Sequence, residues 1–238
     1  MSETLRKSAV AGTADEVRRR HRDEILQAVD RLMRDKGFAA TRMRDAADAC
    51  GCSVGNLYNY FPNKEAILSE LIERETEKFV QLLTRKLASH DGFDSFMERM
   101  SPVVDLFLEE GTARLLVSLY NEGLSNRTVR EILIRAHART CTSILQHILQ
   151  NHKAETFDGR RLALARQRIS SVVFMLQSLC HMALFDPHCD KALAKQVMIE
   201  RLYSIRQSEH WDLEPIKTAC CNRYAVFFRS KKKTSLLS

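Results

Sequence analysis

Apolar residues recur along the chain at helical spacing, and no segment alternates with the two-residue period of a strand. Ile25, Leu26, Val29, Leu32 and Met33 form the first stripe, with helical periodicity from about Val17; Gly37 after the basic turn "RDK" reads as a C′ glycine that ends the helix. A short second helix is expected from about Arg42 to Cys50, stopped by Gly51. A third runs from Val54 to Tyr60 with Ser53 as its N-cap and is closed by Pro62. Pro62 or Asn63 opens a long fourth helix with Ile67, Leu68, Leu71, Ile72, Phe79, Leu82, Leu83 and Leu87 on one stripe, ending before the loop "SHDG" at 89–92. Longer helices follow. One carries Phe96, Met100, Val103, Val104, Phe107 and Leu108, with Pro102 marking a kink or a start; Leu115 to Tyr120 continue as far as "NEGLSN". Residues 127–152, 160–185 and a last helix through Ile205 complete an all-α reading, with breaks at "NHKAETFDG" and "FDPHCD".

Scarce aromatic, glycine and proline residues and abundant Ala, Leu, Arg and Glu agree with that class. No run of about 18 uninterrupted apolar residues occurs, so no membrane span or membrane partner is expected. The first twenty residues lack an apolar leader core, and seven scattered Cys read as reduced thiols; both point to the cytoplasm. The net charge of +7 sits at the ends: residues 1–22 contribute +3 and residues 217–238 contribute +6. A basic balance fits a nucleic-acid partner, but its location leaves the question to the motifs.

The stretch "RDAADACGCSVGNLYNYFPNKEA" (44–66) is the informative one. Two helices crossing steeply through a tight turn need a small residue at the close approach, a residue tolerant of positive φ, and an apolar plug. Ala47, Gly51 and Leu57 supply them, with Ala46, Cys52 and Tyr60 at further buried positions. Val54, Gly55, Asn56, Tyr58 and Asn59 then face outward, a small and hydrogen-bonding surface suited to the major groove of double-stranded DNA.

The stretch "GFAATRMRDAADACGCSVGNLYNYFPNKEAIL" resembles the DNA-binding domain of the TetR family of one-component regulators, specifically over residues 20–75. Gly37, Phe38, Ala40, Thr41, Arg44, Asp45, Ala47, Gly51, Ser53, Gly55, Leu57, Tyr58, Tyr60, Phe61, Lys64, Glu65 and Ala66 carry it. The resemblance implies phosphate or base contacts from Tyr58 and Tyr60, a phosphate-binding Lys64, and sequence reading by positions 54, 56 and 59. Arg42, Arg44, Ser53 and Gly55 complete the implied DNA surface. Two positions depart from the pattern. Val54 replaces a commonly polar residue, leaving an apolar contact such as a thymine methyl. Arg42 stands where a capping Thr is usual, so Thr41 is expected to cap the second helix and free Arg42 for a phosphate.

The resemblance divides the chain into a disordered arm (1–17), a DNA-binding head (18–78, motif 43–62), a helical ligand-binding and dimerisation domain (79–211) and a basic, disordered tail (212–238). "RRRHR" at 18–22 reads either as a solvated arm or as a phosphate contact beside an otherwise neutral motif. The implied protein is a homodimer through its last two helices, binding a palindromic operator and released by a small apolar or amphipathic effector. An activator or a co-repressed regulator has the same shape. Phe96, Met100, Phe107, Leu119 and Tyr120, with Phe174, Met175, Gln177 and His181, are the candidate effector pocket; ordinary core packing is the rival reading for each. Cys180-His181 and His188-Cys189 lack a fixed ligand spacing, so no metal or cofactor is expected. No nucleophile–base pattern suggests an enzyme. A sequence-independent DNA binder is the remaining rival, and it would spread basic residues over the motif.

Overall fold

The computed structural model describes residues 3–87, 92–151 and 159–207. Among these, nine helices and no strand occur: α1 (Glu3–Lys36), α2 (Met43–Cys50), α3 (Val54–Tyr60), α4 (Lys64–Leu87), α5 (Phe93–Leu108), α6 (Glu110–Ser125), α7 (Arg127–Asn151), α8 (Gly159–Phe185) and α9 (Lys191–Gln207). The expected all-α class is what forms. The basic tail 212–238 and most of the 89–92 and 151–159 breaks lie outside the described residues.

Local chemistry explains most boundaries. Gly37 (φ +81°) and Gly51 (φ +65°) stop α1 and α2 in the left-handed conformation that glycine adopts without a Cβ clash. Ser53 Oγ accepts from Asn56 N–H at 3.1 Å to open α3. Asn63 Oδ1 accepts from Ala66 N–H at 2.8 Å, so Asn63, not Pro62, caps α4. Pro102 lies inside α5, not at a start. The break that separates α5 from α6 has no glycine or proline at its pivot. Glu109 is extended there, and its carboxylate accepts from Gly111 N–H (2.8 Å) and Thr112 N–H (2.6 Å), an N-cap made by a glutamate. Desolvation opposes that carboxylate, but its bonds to Thr112 and Gly111 and the nearby Arg34 leave it below the usual carboxylate range.

The N-terminal boundary differs from expectation. α1 begins at Glu3, so residues 3–17 continue the helix backbone and do not form a disordered arm. The segment "ETLRKSAVAGTADEV" contains several strong helix formers and no proline, so it propagates a helix that the buried stripe has already nucleated.

Two buried clusters organise the molecule. The larger joins Phe96, Met100, Val103, Val104, Phe107 and Leu108 of α5 to Ile169, Val173, Leu176 and Leu179 of α8 and Met198, Ile199 and Leu202 of α9. The smaller unites α1–α3 with the first half of α4 through Ile25, Leu26, Met33, Phe38, Ala47, Leu57, Phe61 and Ile67. It also takes in Leu115 and Leu119 of α6 and Val129 and Ile132 of α7. α4 passes from one cluster to the other, Leu71 in the smaller and Phe79 in the larger.

This packing corrects part of the effector-pocket expectation. Leu119 is 0% exposed within the smaller cluster, among head residues. Phe96, Met100 and Phe107 fill the larger core, with Phe107 edge-on to Phe79 at 5.6 Å. Phe174 and His181 are exposed on α8. Only Tyr120 and Gln177 meet as a half-buried polar pair, Tyr120 Oη donating to Gln177 Oε1 at 2.9 Å. Apolar periodicity marks burial but does not tell a cavity wall from a core.

α8 contains one stretch, Leu162–Phe185, long and apolar enough to cross a membrane by length and composition, although no uninterrupted apolar run exists. Its excess apolar surface is an exposed stripe carrying Phe174 and Phe185, with Leu193 and Val197 exposed on α9.

Because Leu119 fills the head's core, Leu119→Ala is expected to destabilise the protein by about 2–5 kcal/mol, the cost of truncating a buried Leu. Denaturant unfolding monitored by circular dichroism measures it; a change under about 1 kcal/mol, far below the range for such truncations, would mean that α6 is not part of this core.

Candidate nucleic-acid interface

α2 and α3 meet through the turn Gly51–Ser53. Cys52 N–H donates to Ala47 O at 3.0 Å and Gly51 N–H to Asp48 O at 3.2 Å, which tie off the end of α2. An added Cβ at Gly51 would meet nothing within 4 Å, so its positive φ, not lack of room, calls for glycine. Ala47 and Leu57 are both fully buried at the crossing. Leu57 anchors one side of α3, and the other side is open: Val54 is 36% and Tyr58 50% exposed, with Gly55 and Asn59 exposed and Asn56 half-buried. Tyr60 is half-buried.

The second helix is capped differently from the expectation. Thr41 is buried and its hydroxyl donates to Gly37 O at 2.8 Å, so it closes the preceding turn instead of capping. Arg42 occupies the cap position, and Asp45 reaches back to accept from Arg42 N–H at 2.9 Å. That backbone bond, with Lys36 Nζ 3.2 Å away, holds the Asp45 carboxyl below the usual range. The Arg42 and Arg44 side chains are exposed at the start of α2.

Arg22 settles one half of the "RRRHR" question. It lies inside α1 and is a structural clamp: Nη1 donates to Tyr60 O (2.9 Å), Nε to Glu70 Oε2 (2.8 Å), and the guanidinium lies 4.2 Å from the Phe61 ring. It thereby ties α1 to the end of α3 and to α4. His21 stacks on Tyr60 at 6.5 Å, and Arg18 lies 6.0 Å from the same ring. Arg18, Arg19 and Arg20 are exposed. Lys64 is also engaged, with Nζ donating to Phe38 O at 3.2 Å and lying 4.3 Å over the Phe38 ring.

Residue patterns gave Arg22 no role beyond the charge run at 18–22, gave Asp45 none beyond its place in the resemblance, and did not single out Arg34. Arg22 precedes Ile25 and Leu26 by three and four residues and so shares their face, a signal that was available. Arg34 gave none. It pairs with Asp30 (2.8 Å), approaches Glu75 (3.7 Å) and Glu109 (3.8 Å), and donates to Thr112 Oγ1 at 2.5 Å. The head is thus pinned to the α5–α6 break.

Residues 25–71 match the family model described as bacterial regulatory proteins, tetR family. Over 51 residues the chain is 41% identical to the transcriptional repressor KstR2 of Mycolicibacterium smegmatis, covering 21% of this chain and 25% of that one. Over 128 residues it is 26% identical to the regulator UidR of Escherichia coli K12, covering 53% and 64%. The aligned parts therefore span a quarter to under two thirds of these relatives. A crystal structure of a TetR-family regulator from Mesorhizobium loti superposes with a TM-score of 0.59 at 16% identity, over 78% of this chain and 96% of that one, a likeness of fold.

Gly51→Ala is expected to cost about 1–2 kcal/mol, the penalty for a Cβ at positive φ, and Gly51→Asn less. Thermal unfolding measures both; equal stability of the Ala variant and the parent would show that the turn tolerates another conformation.

Proposed function

We infer the function from the premise that the head, residues 25–71, belongs to the bacterial regulatory proteins of the tetR family: the protein is a sequence-specific, dimeric transcriptional repressor. The observation that carries this reading is the two-sided α3, with Leu57 at 0% exposure on one side and Val54, Gly55, Tyr58 and Asn59 exposed on the other.

The chemistry follows from that surface. Gly55 and Val54 at the start of the helix permit close approach to base edges, Val54 offering an apolar contact to a thymine methyl. Asn56 and Asn59 carry both donors and acceptors, the capacity needed to discriminate bases. Tyr58 and Tyr60 reach phosphate or base; Arg42 and Arg44 flank them as phosphate partners. Lys64 keeps a donor for a phosphate while bonded to Phe38. Arg18 lies 6.0 Å from the Tyr60 ring and the exposed Arg19 and Arg20 follow it on α1, positive charge near the end of α3 that is read here as a phosphate contact and not as a merely solvated run.

Dimerisation through α8 and α9 fits the exposed Phe174, Phe185, Leu193 and Val197, apolar side chains that a two-fold partner would cover. A two-fold pair places two α3 helices about 34–36 Å apart for successive half-sites of a palindrome. An effector releases the operator by favouring a dimer whose heads are misplaced, acting through its differential affinity for the two arrangements. The Arg34 contacts to Glu109 and Thr112 give such a change a direct route from the body to α1. A protein of this kind works in the cytoplasm and needs no catalytic site.

Gel shifts against the DNA upstream of its own gene, with unrelated DNA as competitor, test the proposal. Equal affinity for both would overturn it. Tyr58→Ala is expected to weaken operator binding by about tenfold or more, from the scale of about 1–3 kcal/mol for a good groove contact. Replacing Arg18, Arg19 and Arg20 by Ala is expected to lower the salt slope of log affinity by about 0.9 for each phosphate that is no longer neutralised. Phe174→Asp combined with Phe185→Asp should give a monomer in sedimentation and abolish operator binding with it; an unchanged dimer would place the interface elsewhere.

A further inference from the structure

Arg18, His21, Arg22 and Ile25 share one face of α1, at spacings of three and four residues. Ile25 is buried in the head's core, and the three residues before it converge on the last residue of α3. Arg18 and His21 approach the Tyr60 ring, at 6.0 Å and 6.5 Å, whereas Arg22 takes the Tyr60 carbonyl at 2.9 Å. That carbonyl belongs to the last turn of α3, where an oxygen lacks an amide partner within the helix and a cation suits the negative end of the dipole.

The guanidinium that makes this bond is itself held in place. Its Nε and Nη2 both donate to Glu70 Oε2, at 2.8 Å and 2.5 Å, and it lies 4.2 Å from the ring of Phe61, which is fully buried. The other carboxylate oxygen, Glu70 Oε1, accepts from Arg74 Nη2 at 2.8 Å, and Arg74 reaches Asp23 Oδ1 at 2.6 Å. Asp23 is the neighbour of Arg22 on α1. Arg22, Glu70, Arg74 and Asp23 therefore close a circuit of alternating charge between α1 and α4, with the end of α3 attached at one corner.

We propose that this circuit makes Arg22 a positioning residue for base reading: it fixes the Tyr60 end of α3, and discrimination of the operator from other DNA depends on it, while general affinity for phosphate does not. This rests on the regulator reading. Two observations separate Arg22 from the basic residues just before it. Glu70 neutralises its charge, whereas Arg18, Arg19 and Arg20 form no ion pair among the described residues. Its N–H groups also reach a carboxylate and a carbonyl from one rigid plane, which a lysine does not reproduce.

The position explains the consequence. Ser53 holds the start of α3 and Leu57 its middle, so loss of Arg22 frees the last turn, which carries Tyr58 and Asn59. Base edges accept contacts from a narrow range of helix placements, whereas flexible arginines still reach phosphates when α3 shifts. The four side chains of the circuit are between 23% and 49% exposed, and ion pairs of that kind add little to overall stability. The effect therefore falls on where α3 ends and not on whether the head folds.

The test measures the affinity of the full chain for its upstream DNA and for unrelated DNA over a range of salt, in the parent and in Arg22→Lys, Arg22→Gln and Glu70→Ala. Arg22→Lys keeps the charge, yet the ratio of the two affinities should fall about tenfold, the scale of one groove contact. Arg22→Gln should lose as much with an unchanged salt slope. Combining it with Glu70→Ala should add nothing, because both changes break one unit. A normal ratio in Arg22→Lys overturns the proposal, as does a slope in Arg22→Gln lower by about 0.9 for each phosphate released. An equal fall in both affinities, or additive losses, overturns it too. Thermal unfolding checks that the variants fold; if Arg22→Gln does not, Glu70→Ala, which leaves the arginine in place, carries the measurement. Without DNA, amide exchange over residues 57–61, where Phe61 N–H donates to Leu57 O at 3.0 Å, should quicken about tenfold in Arg22→Lys and stay unchanged in α5. No quickening there overturns the clamp. Failure of the parent to discriminate its upstream DNA would instead count against the repressor reading, with the exchange measurement still deciding the clamp.

Discussion

Leu115 and Leu119 of α6 and Val129 and Ile132 of α7 fill the same core as Ile25, Met33, Phe38 and Leu57. The head has little interior of its own, because α2 and α3 are only 8 and 7 residues long and offer only Ala46, Ala47 and Leu57 as buried side chains. Each fully buried aliphatic group contributes about 1.5–3 kcal/mol, so the four from α6 and α7 are a large part of what holds the head in shape. The consequence is mechanical. α1 cannot tilt without disturbing α6, and Arg34 adds a polar pin at the same junction through Thr112 and Glu109.

That shared core gives the DNA-facing side chains a rigid base. α3 has seven residues, too few to be stable as an isolated helix. It is held by Leu57 from beneath, by Ser53 at its start, and at its end by Arg22, which binds the Tyr60 carbonyl while pairing with Glu70. With these three constraints α3 can leave Val54, Gly55, Tyr58 and Asn59 in water without fraying.

The body shows the opposite situation. α5, α8 and α9 bury a continuous interior, yet α8 and α9 still carry Phe174, Phe185, Leu193 and Val197 on the outside. A helix apolar on more than one face is fully covered only by more than one neighbour. This accounts both for the membrane-like composition of Leu162–Phe185 and for the proposed two-fold contact.

Much of this was legible in the residues alone. The extents of α2 and α3, the stops at Gly37 and Gly51, the Ser53 cap and the burial of Leu57 follow from chemistry acting within about four positions along the chain, and such short-range preferences survive folding. The two-sided character of α3 belongs to the same class. What the tertiary structure alone decided involves partners far apart. Arg22 meets Glu70 48 positions away, Lys64 meets the Phe38 carbonyl 26 away, and Arg34 meets Thr112 78 away. Leu119, an apolar residue like its neighbours in a stripe, joined the head because α6 crosses there. Long cationic side chains with several donors, and aliphatic ones with none, carry no directional preference in the sequence. Which surface comes within reach selects their partners, and only the packed chain supplies that.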